Sequence, residues 1–511
     1  MPMVVPALAK RAAEQAPTSR ARHMVPRPRI AVPAALAAII GIVVVAGLCW
    51  ALLVPPWQSP DENAQFAYAQ SIAERFELPG DASRPGWSAD QSLADDYVNA
   101  NALAFRSSVV RPNWTARDFK AYQQKVAHSD VPRDDGGGPN PAASNPPLYY
   151  VYADLAYWAT YWGNAFDRLY AMRIWGISLL VLAAVGGWLL AGEVLGRRRL
   201  PQLACAAAIG LFPMETFMAT AVNPDGLQVA LWTFAFWLGA RVILRAARPR
   251  DVLSLSAVTA AAILTKGTSY ALLPAVLVAL LIGWLRRPQG QRIDLGLPYS
   301  VAGLIVTVPI LAWLQMSGAA GIAAVNAVGS PAAGVQPLPF KVNQFLAYLW
   351  QFYLPRLPFM GLERATPGLS VYNIWIRTGW GTFGWLEFGM PTWVYTVLAS
   401  VTGAIAAAIV AILATIRGAV RWELVAFFAV AFVALVFGLH LTDYRSIIRG
   451  QGAILQGRYL LPLLGLFGLS IALIVSRLPL RWRGIGCVAL IVGLLALQVL
   501  ALSSVAARYY V

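Results

Sequence analysis

The run IAVPAALAAIIGIVVVAGLCWALLV (30–54), followed by PPWQSPDENAQFAYAQ (55–70), decides how this chain is read. Its twenty-five mostly apolar residues are enough to cross the hydrocarbon core of a bilayer as a helix. The run is too long for a signal-peptide core and ends without a small-x-small cleavage site, so it reads as a retained anchor. It stops at Pro55 and Pro56, and Asp61 and Glu62 stand side by side where the chain leaves the membrane. Pro60 opens a helix whose positive N-terminal end suits both acids.

The rest of the chain repeats the apolar theme. Of 511 residues, 58% are hydrophobic and 13% charged, and the mean hydropathy is +0.58. That is too little charge to cover a soluble protein of this size, and several further runs are long enough to span. The fold class is therefore an all-α polytopic membrane protein. The net charge of +16 sits in clusters between apolar runs, RRRL (197–200), RAARPR (245–250) and RLPLRWR (477–483). This is the positive-inside pattern and calls for no nucleic acid. Residues 1–29 form a basic tail, expected in the cytoplasm. Cys49, Cys205 and Cys487 lie in apolar segments and His23, His128 and His440 are scattered, so neither a disulfide framework nor a histidine-rich zinc site is indicated.

Propagating orientation by charge gives eleven spans, at about 30–54, 170–195, 201–221, 226–243, 252–265, 268–285, 296–316, 391–416, 422–440, 459–476 and 484–505. The transmembrane domain then covers 30–511, with long external loops at about 55–169 and 317–390. NPPLYYVYADLAYWATYWG (145–163) and FLAYLWQFYLP (345–355) read as aromatic helices in the outer interface. RDDGGG (133–138) does not match calcium-loop spacing and reads as a solvated loop.

On this topology four polar motifs collect on the external side: Asp61-Glu62, NPDGL (223–227), LTKG (264–267) and QGRYLLP (456–462). Each has a plain reading: helix capping for the acids, turn chemistry for Asp225, snorkelling for Lys266. Together they place carboxylates and two cations, Lys266 and Arg458, at membrane depth, where charge is costly and marks function. A carboxylate can take a proton from an acceptor hydroxyl, and cations can hold a phosphate leaving group. This suits glycosyl transfer from a lipid phosphate. A transporter or flippase for such lipids, or a scaffold that binds them, is the alternative; the lack of an internal repeat counts against transport.

The motifs PDENAQF, NPPLYY, NPDGL, GTFGWLEFGMPTWVY (381–395) and QGRYLLPLL carry a resemblance from about residue 35 to 475. The chain resembles the GT-C superfamily of integral membrane glycosyltransferases and, within it, a widespread family of bacterial multispanning proteins. The resemblance implies a polyprenyl-phosphate sugar donor, an envelope glycan or lipid acceptor, and inversion at the sugar carbon. It implies a site facing the exterior of a bacterial plasma membrane. It puts the catalytic acid on Asp61 or its neighbour Glu62, and the donor phosphate on Lys266, Arg458, Tyr459 and Gln456. Asn145, Asn223, Asp225 and Trp385 become substrate-binding candidates. Many relatives carry Asp-x-Asp, or His in place of Asn145; this chain has neither. A divalent cation (Mg, Mn or Ca), if it takes part, is expected on Asp61, Glu62 and Asp225.

Overall fold

The computed structural model describes residues 33–104, 110–129, 131–326, 336, 338–361, 370–415 and 421–511. The basic tail lies outside the described residues. Helix α1 (Ala34–Leu53) ends at the residue before Val54, which turns extended ahead of Pro55, as the residue preceding proline prefers. A membrane-edge layer follows: α2 (Glu62–Arg75), α3 (Ala89–Val98), α4 (Ala100–Leu103), α5 (Ala116–His128) and α6 (Leu148–Ala159). The bundle continues with α7 (Ala165–Val194), α8 (Arg199–Gly210), α9 (Pro213–Ala219), α10 (Asp225–Leu244), α11 (Pro249–Thr265), α12 (Leu272–Leu285) and α13 (Gly296–Asn326). Then come α14 (Val342–Tyr353), α15 (Thr378–Trp380) and a two-stranded hairpin, β1 (Thr382–Phe383) with β2 (Phe388–Gly389). The chain closes with α16 (Thr392–Thr415), α17 (Trp422–Ile448), α18 (Leu464–Arg477) and α19 (Leu480–Tyr509).

Nine helices among the described residues are long and apolar enough to cross a membrane, or ten with one bent pair, rather than the eleven expected. The two differences have local causes. The expected span at 201–221 is α8 plus α9, bent by 58° where Pro213 begins a new helix after Leu211 and Phe212. The expected span at 252–265 is α11, whose 17 residues reach about 26 Å, short of a ~30 Å hydrocarbon core. It nevertheless runs the full length of its neighbour α10. Lys266 pairs with Asp225 at one end, and Arg241 with Asp251 (2.6 Å) at the other.

The bundle centre is built by α7, α10 and the stretch Gly457–Arg477, each at least 61% buried over its apolar window, whereas α16 is 6% and Gly296–Ser317 11% buried. The latter two present apolar faces that only lipid would cover. Close approach at the centre depends on Gly176 of α7, where an added Cβ would lie 2.1 Å from the Ala219 carbonyl oxygen.

The external segment at 55–169, expected to carry an interfacial helix at 145–163 and a helix opened by Pro60, is a helical layer with an aromatic core. Trp57, Phe66, Tyr68, Tyr122, Tyr149, Tyr150 and Tyr157 pack on the near end of α7. Its α6 is 12 residues long, about 18 Å and too short to cross. The DDGGG glycines pack closely here: a Cβ on Gly138 would lie 2.0 Å from the Arg84 carbonyl oxygen. Asp154 of α6 is fully buried in this layer, and neither carboxylate oxygen has a hydrogen-bond partner among the described residues. Burial, with Glu74 nearby adding to it, pushes its pKa up to about 9.

Such a group is neutral in the fold, so its contribution to stability is complete below its ordinary range near 4 and fades as pH rises towards 9. Asp154→Asn is therefore expected to gain stability over the parent with rising pH, by on the order of 1 kcal/mol per unit between pH 5 and 8. Melting temperatures of the two proteins in detergent at both pH values check this; parallel pH profiles would contradict it.

Candidate functional site

The turn from α1 into α2 is held by one side chain from α7. Arg173 is buried, and its Nε and Nη2 donate to the two oxygens of Glu62 at 2.8 and 2.5 Å. Its Nη1 and Nη2 also donate to the carbonyls of Val54 (2.6 Å) and Pro55 (2.9 Å), at the end of α1 where the helix leaves carbonyls unpaired. Glu62 also accepts from the Val222 backbone N–H at 3.1 Å. Asn223 adds a bond from its amide to the Pro60 carbonyl at 3.5 Å, and Trp385 donates its indole N–H to the Trp57 carbonyl at 3.1 Å.

Within this turn Trp57 (φ 62°) and Asp61 (φ 61°) both adopt the left-handed region. Asp tolerates it better than most residues; for an aromatic it is costly and needs surrounding structure to hold it. The consequence is that two adjacent acids point in different directions. Glu62 turns inwards to Arg173 and is fully buried, while the Asp61 side chain stays 47% exposed.

Asp61 faces a cavity of about 910 Å³. Asn145, Asn223, Asp225, Lys266, Arg458 and Tyr459 also line it, with Gln65, Asn140 and Ser144 on the rim. One wall is apolar, formed by Ala434, Leu435, Gly438 and Leu439 of α17. Asp225, in the first turn of α10, pairs with Lys266 through one oxygen; its other oxygen is buried without a hydrogen-bond partner among the described residues. Arg458 is 6% exposed, and its single carboxylate contact is a long one, Nη2 to Asp61 at 3.4 Å. Its Nε and Nη1 are buried with no hydrogen-bond partner among the described residues. The Tyr459 ring centre lies 5.4 Å from both the Lys266 ammonium and the Arg458 guanidinium carbon. Unspent buried donors beside an aromatic face form a site suited to an anion.

The QGRY turn is placed from two sides. Gly457 passes so close to α15 that an added Cβ would lie 2.4 Å from the Gly379 nitrogen. Asp443 of α17 accepts from the Ile454 and Leu455 backbone N–H groups at 2.7 and 3.0 Å, and from the Tyr348 hydroxyl of α14 at 2.6 Å.

Four sequence expectations differ from these placements. Glu62 does not line the cavity: its carboxylate accepts from Arg173 and from the Val222 backbone N–H, so it supports the turn. Trp385 bonds the Trp57 carbonyl rather than lining the cavity, and Gln456, which begins the QGRY turn, does not line it either. The expected cation set of Asp61, Glu62 and Asp225 is not assembled, and no group of three or more His, Cys, Asp or Glu side chains among the described residues is placed to hold a metal ion. Arg173 was not singled out from the sequence. The signal was present in YAMRIWG (170–176), an arginine inside an apolar run on the side where the charge rule disfavours it.

A family described as a predicted membrane protein, DUF2142, matches residues 44–467. The chain belongs to that family. No curated protein matches the DUF2142 chain in sequence. Among solved structures it is similar to ArnT from Cupriavidus metallidurans bound to undecaprenyl phosphate, at 14% identity and a TM-score of 0.45, covering 90% of this chain and 63% of that one. It is similar to the Archaeoglobus fulgidus oligosaccharyltransferase (10%, TM-score 0.42, covering 92% and 55%). It is also similar to the arabinosyltransferase EmbB from Mycobacterium smegmatis (12%, TM-score 0.38, covering 96% and 43%). The DUF2142 chain thus spans less than two thirds of the length of each. Likenesses this distant transfer no residue role.

Removing one partner of the clamp leaves a buried charge uncompensated. Arg173→Met is expected to destabilise the protein by roughly 3–5 kcal/mol, and pairing it with Glu62→Met to recover part of that loss. Thermal unfolding of the two variants in detergent checks this; a double variant less stable than Arg173→Met alone would contradict it.

Proposed function

We propose that this chain is a membrane glycosyltransferase that moves a sugar from a polyprenyl-phosphate donor to an envelope glycan or lipid acceptor. The observation that carries the reading is the Arg458 guanidinium, buried with two N–H groups unspent, beside a half-exposed carboxylate and an apolar wall. A lipid-linked phosphate has the matching parts: an anion for Arg458 and Lys266, and a chain for the α17 face. Asp61, as carboxylate, takes the proton of the acceptor hydroxyl as it attacks the sugar carbon. The bond from that carbon to the phosphate oxygen breaks with inversion, and Arg458 and Lys266 hold the phosphate as it leaves. Tyr459 keeps the two cations together, and Asn145 and Asn223 contact sugar or acceptor.

The orientation rests on charge. The turns at the end opposite the cavity, 195–199, 245–250, 286–292 and 477–483, are rich in arginine, which favours that end as cytoplasmic and the cavity as external in a bacterial plasma membrane. Asp61 and Asp225 are each already beside a cation, and Glu62 is committed to Arg173, so the donor set does not suit a divalent ion. Displacement by Asp61 requires none.

Transfer from a synthetic polyprenyl-phosphate sugar by purified protein tests the proposal. Asp61→Asn should lower turnover by about 10²–10⁴-fold. Activity equal to the parent would remove Asp61 as base, and no transfer from any donor would favour transport or a scaffold. Treatment with EDTA is expected to leave turnover unchanged; loss restored by Mg, Mn or Ca would overturn the metal-free mechanism.

A further inference from the structure

A second cavity, of about 480 Å³, lies at the far ends of α7, α18 and α19. Arg458 and Arg477 bound the stretch that separates it from the first cavity; nineteen helical residues correspond to about 29 Å. It is lined by Val194, Leu195, Leu473 and Ser476 together with three arginines, Arg198, Arg477 and Arg483. None of the three has a carboxylate within ion-pairing distance among the described residues. Glu193, the nearest acid in sequence to Arg198, is already held by Arg245 at 2.6 and 2.9 Å. Arg483 is fixed in place, its Nε donating to the Leu478 carbonyl at 2.8 Å.

Arginines in solvated turns explain a topology signal, but not three around one hollow that also has Val194, Leu195 and Leu473 in its lining. On α19 beside the hollow, Leu480, Trp482 and Ile485 are exposed. An apolar belt with a tryptophan marks the headgroup level of a membrane surface. We propose that this hollow is a phosphate-binding site, and that the phosphate belongs to an anionic lipid headgroup. Such basic pockets between spans at the cytoplasmic surface suit lipid phosphates, and the guanidinium fork matches phosphate oxygens. The assignment rests on the orientation proposed above and not on the chemistry proposed for the first cavity.

Native mass spectrometry of the full-length protein in detergent, titrated with phosphatidylglycerol, phosphatidylcholine or inorganic phosphate, tests the site. Phosphatidylglycerol is expected to bind the parent about tenfold or more tightly than phosphatidylcholine. Substituting Arg198→Gln, Arg477→Gln and Arg483→Gln together should abolish that preference. Substituting Arg197→Gln, Arg199→Gln and Arg481→Gln removes the same charge outside the hollow and should keep it. Leu473→Trp fills the hollow with every charge retained and should also abolish the preference, which keeps the test valid if the arginine variant fails to insert. Inorganic phosphate bound by the parent and lost in the same variants would assign the site to a soluble phosphate. Equal losses in the control variant, or binding of neither ligand, would overturn the proposal.

Discussion

Everything at the cavity depends on the buried pairing of Arg173 with Glu62. One guanidinium from the middle of the chain closes the carbonyl end of α1, holds the acid that begins α2 and, through Glu62, fixes the backbone ahead of α10. Three chain segments distant in sequence therefore meet at a single charge. The desolvation cost of such a pair is large, and it is offset here because nearly every donor on the guanidinium is used. With the turn held, the left-handed backbone at Asp61 becomes sustainable, and that backbone sends Asp61 outwards and Glu62 inwards.

The cavity charges are balanced unequally. Lys266 is answered by Asp225, but Arg458 has only a distant Asp61 oxygen and buried N–H groups without partners. An unsatisfied buried donor costs on the order of 1–3 kcal/mol. A fold that carries this cost in two donors of one side chain retains the free energy for whatever anion meets them. The same imbalance distinguishes Arg458 from Arg173, a second buried arginine whose donors are consumed by the protein itself.

Much of this was legible in the sequence, for identifiable reasons. Apolar runs reveal most spans because bilayer thickness sets their length. The motifs around Asp61, Asp225, Lys266 and Arg458 could be grouped because positive-charge bias fixes which ends of the spans share a side. The division of labour between Asp61 and Glu62 was not legible: it follows from a backbone torsion, and adjacent residues of like chemistry give no hint of it. Arg173 was passed over because its meaning lies in partners more than a hundred residues away. The count of nine or ten differs from the eleven expected where Pro213 bends the chain and where α11 is short, since hydropathy registers neither a bend nor a rise per residue. In the layer at 55–169 the helices after Pro60 and at 145–163 were legible, whereas α3 and α5 lie in stretches too polar to show the periodicity of a buried face.

The two ion pairs fastening α10 to α11, one at each end, give these helices the mechanical character of a braced strut. Asp225 and Lys266 ride on that strut, so neither can be displaced without breaking a pair or moving both helices together. On the opposite wall, at Gly438, a Cβ would meet nothing within 4 Å. The bore of the cavity is thus set by side-chain size along one face of α17, between Ala434 and Leu439. Relatives with bulkier residues there would share the same charged edge yet admit a narrower guest.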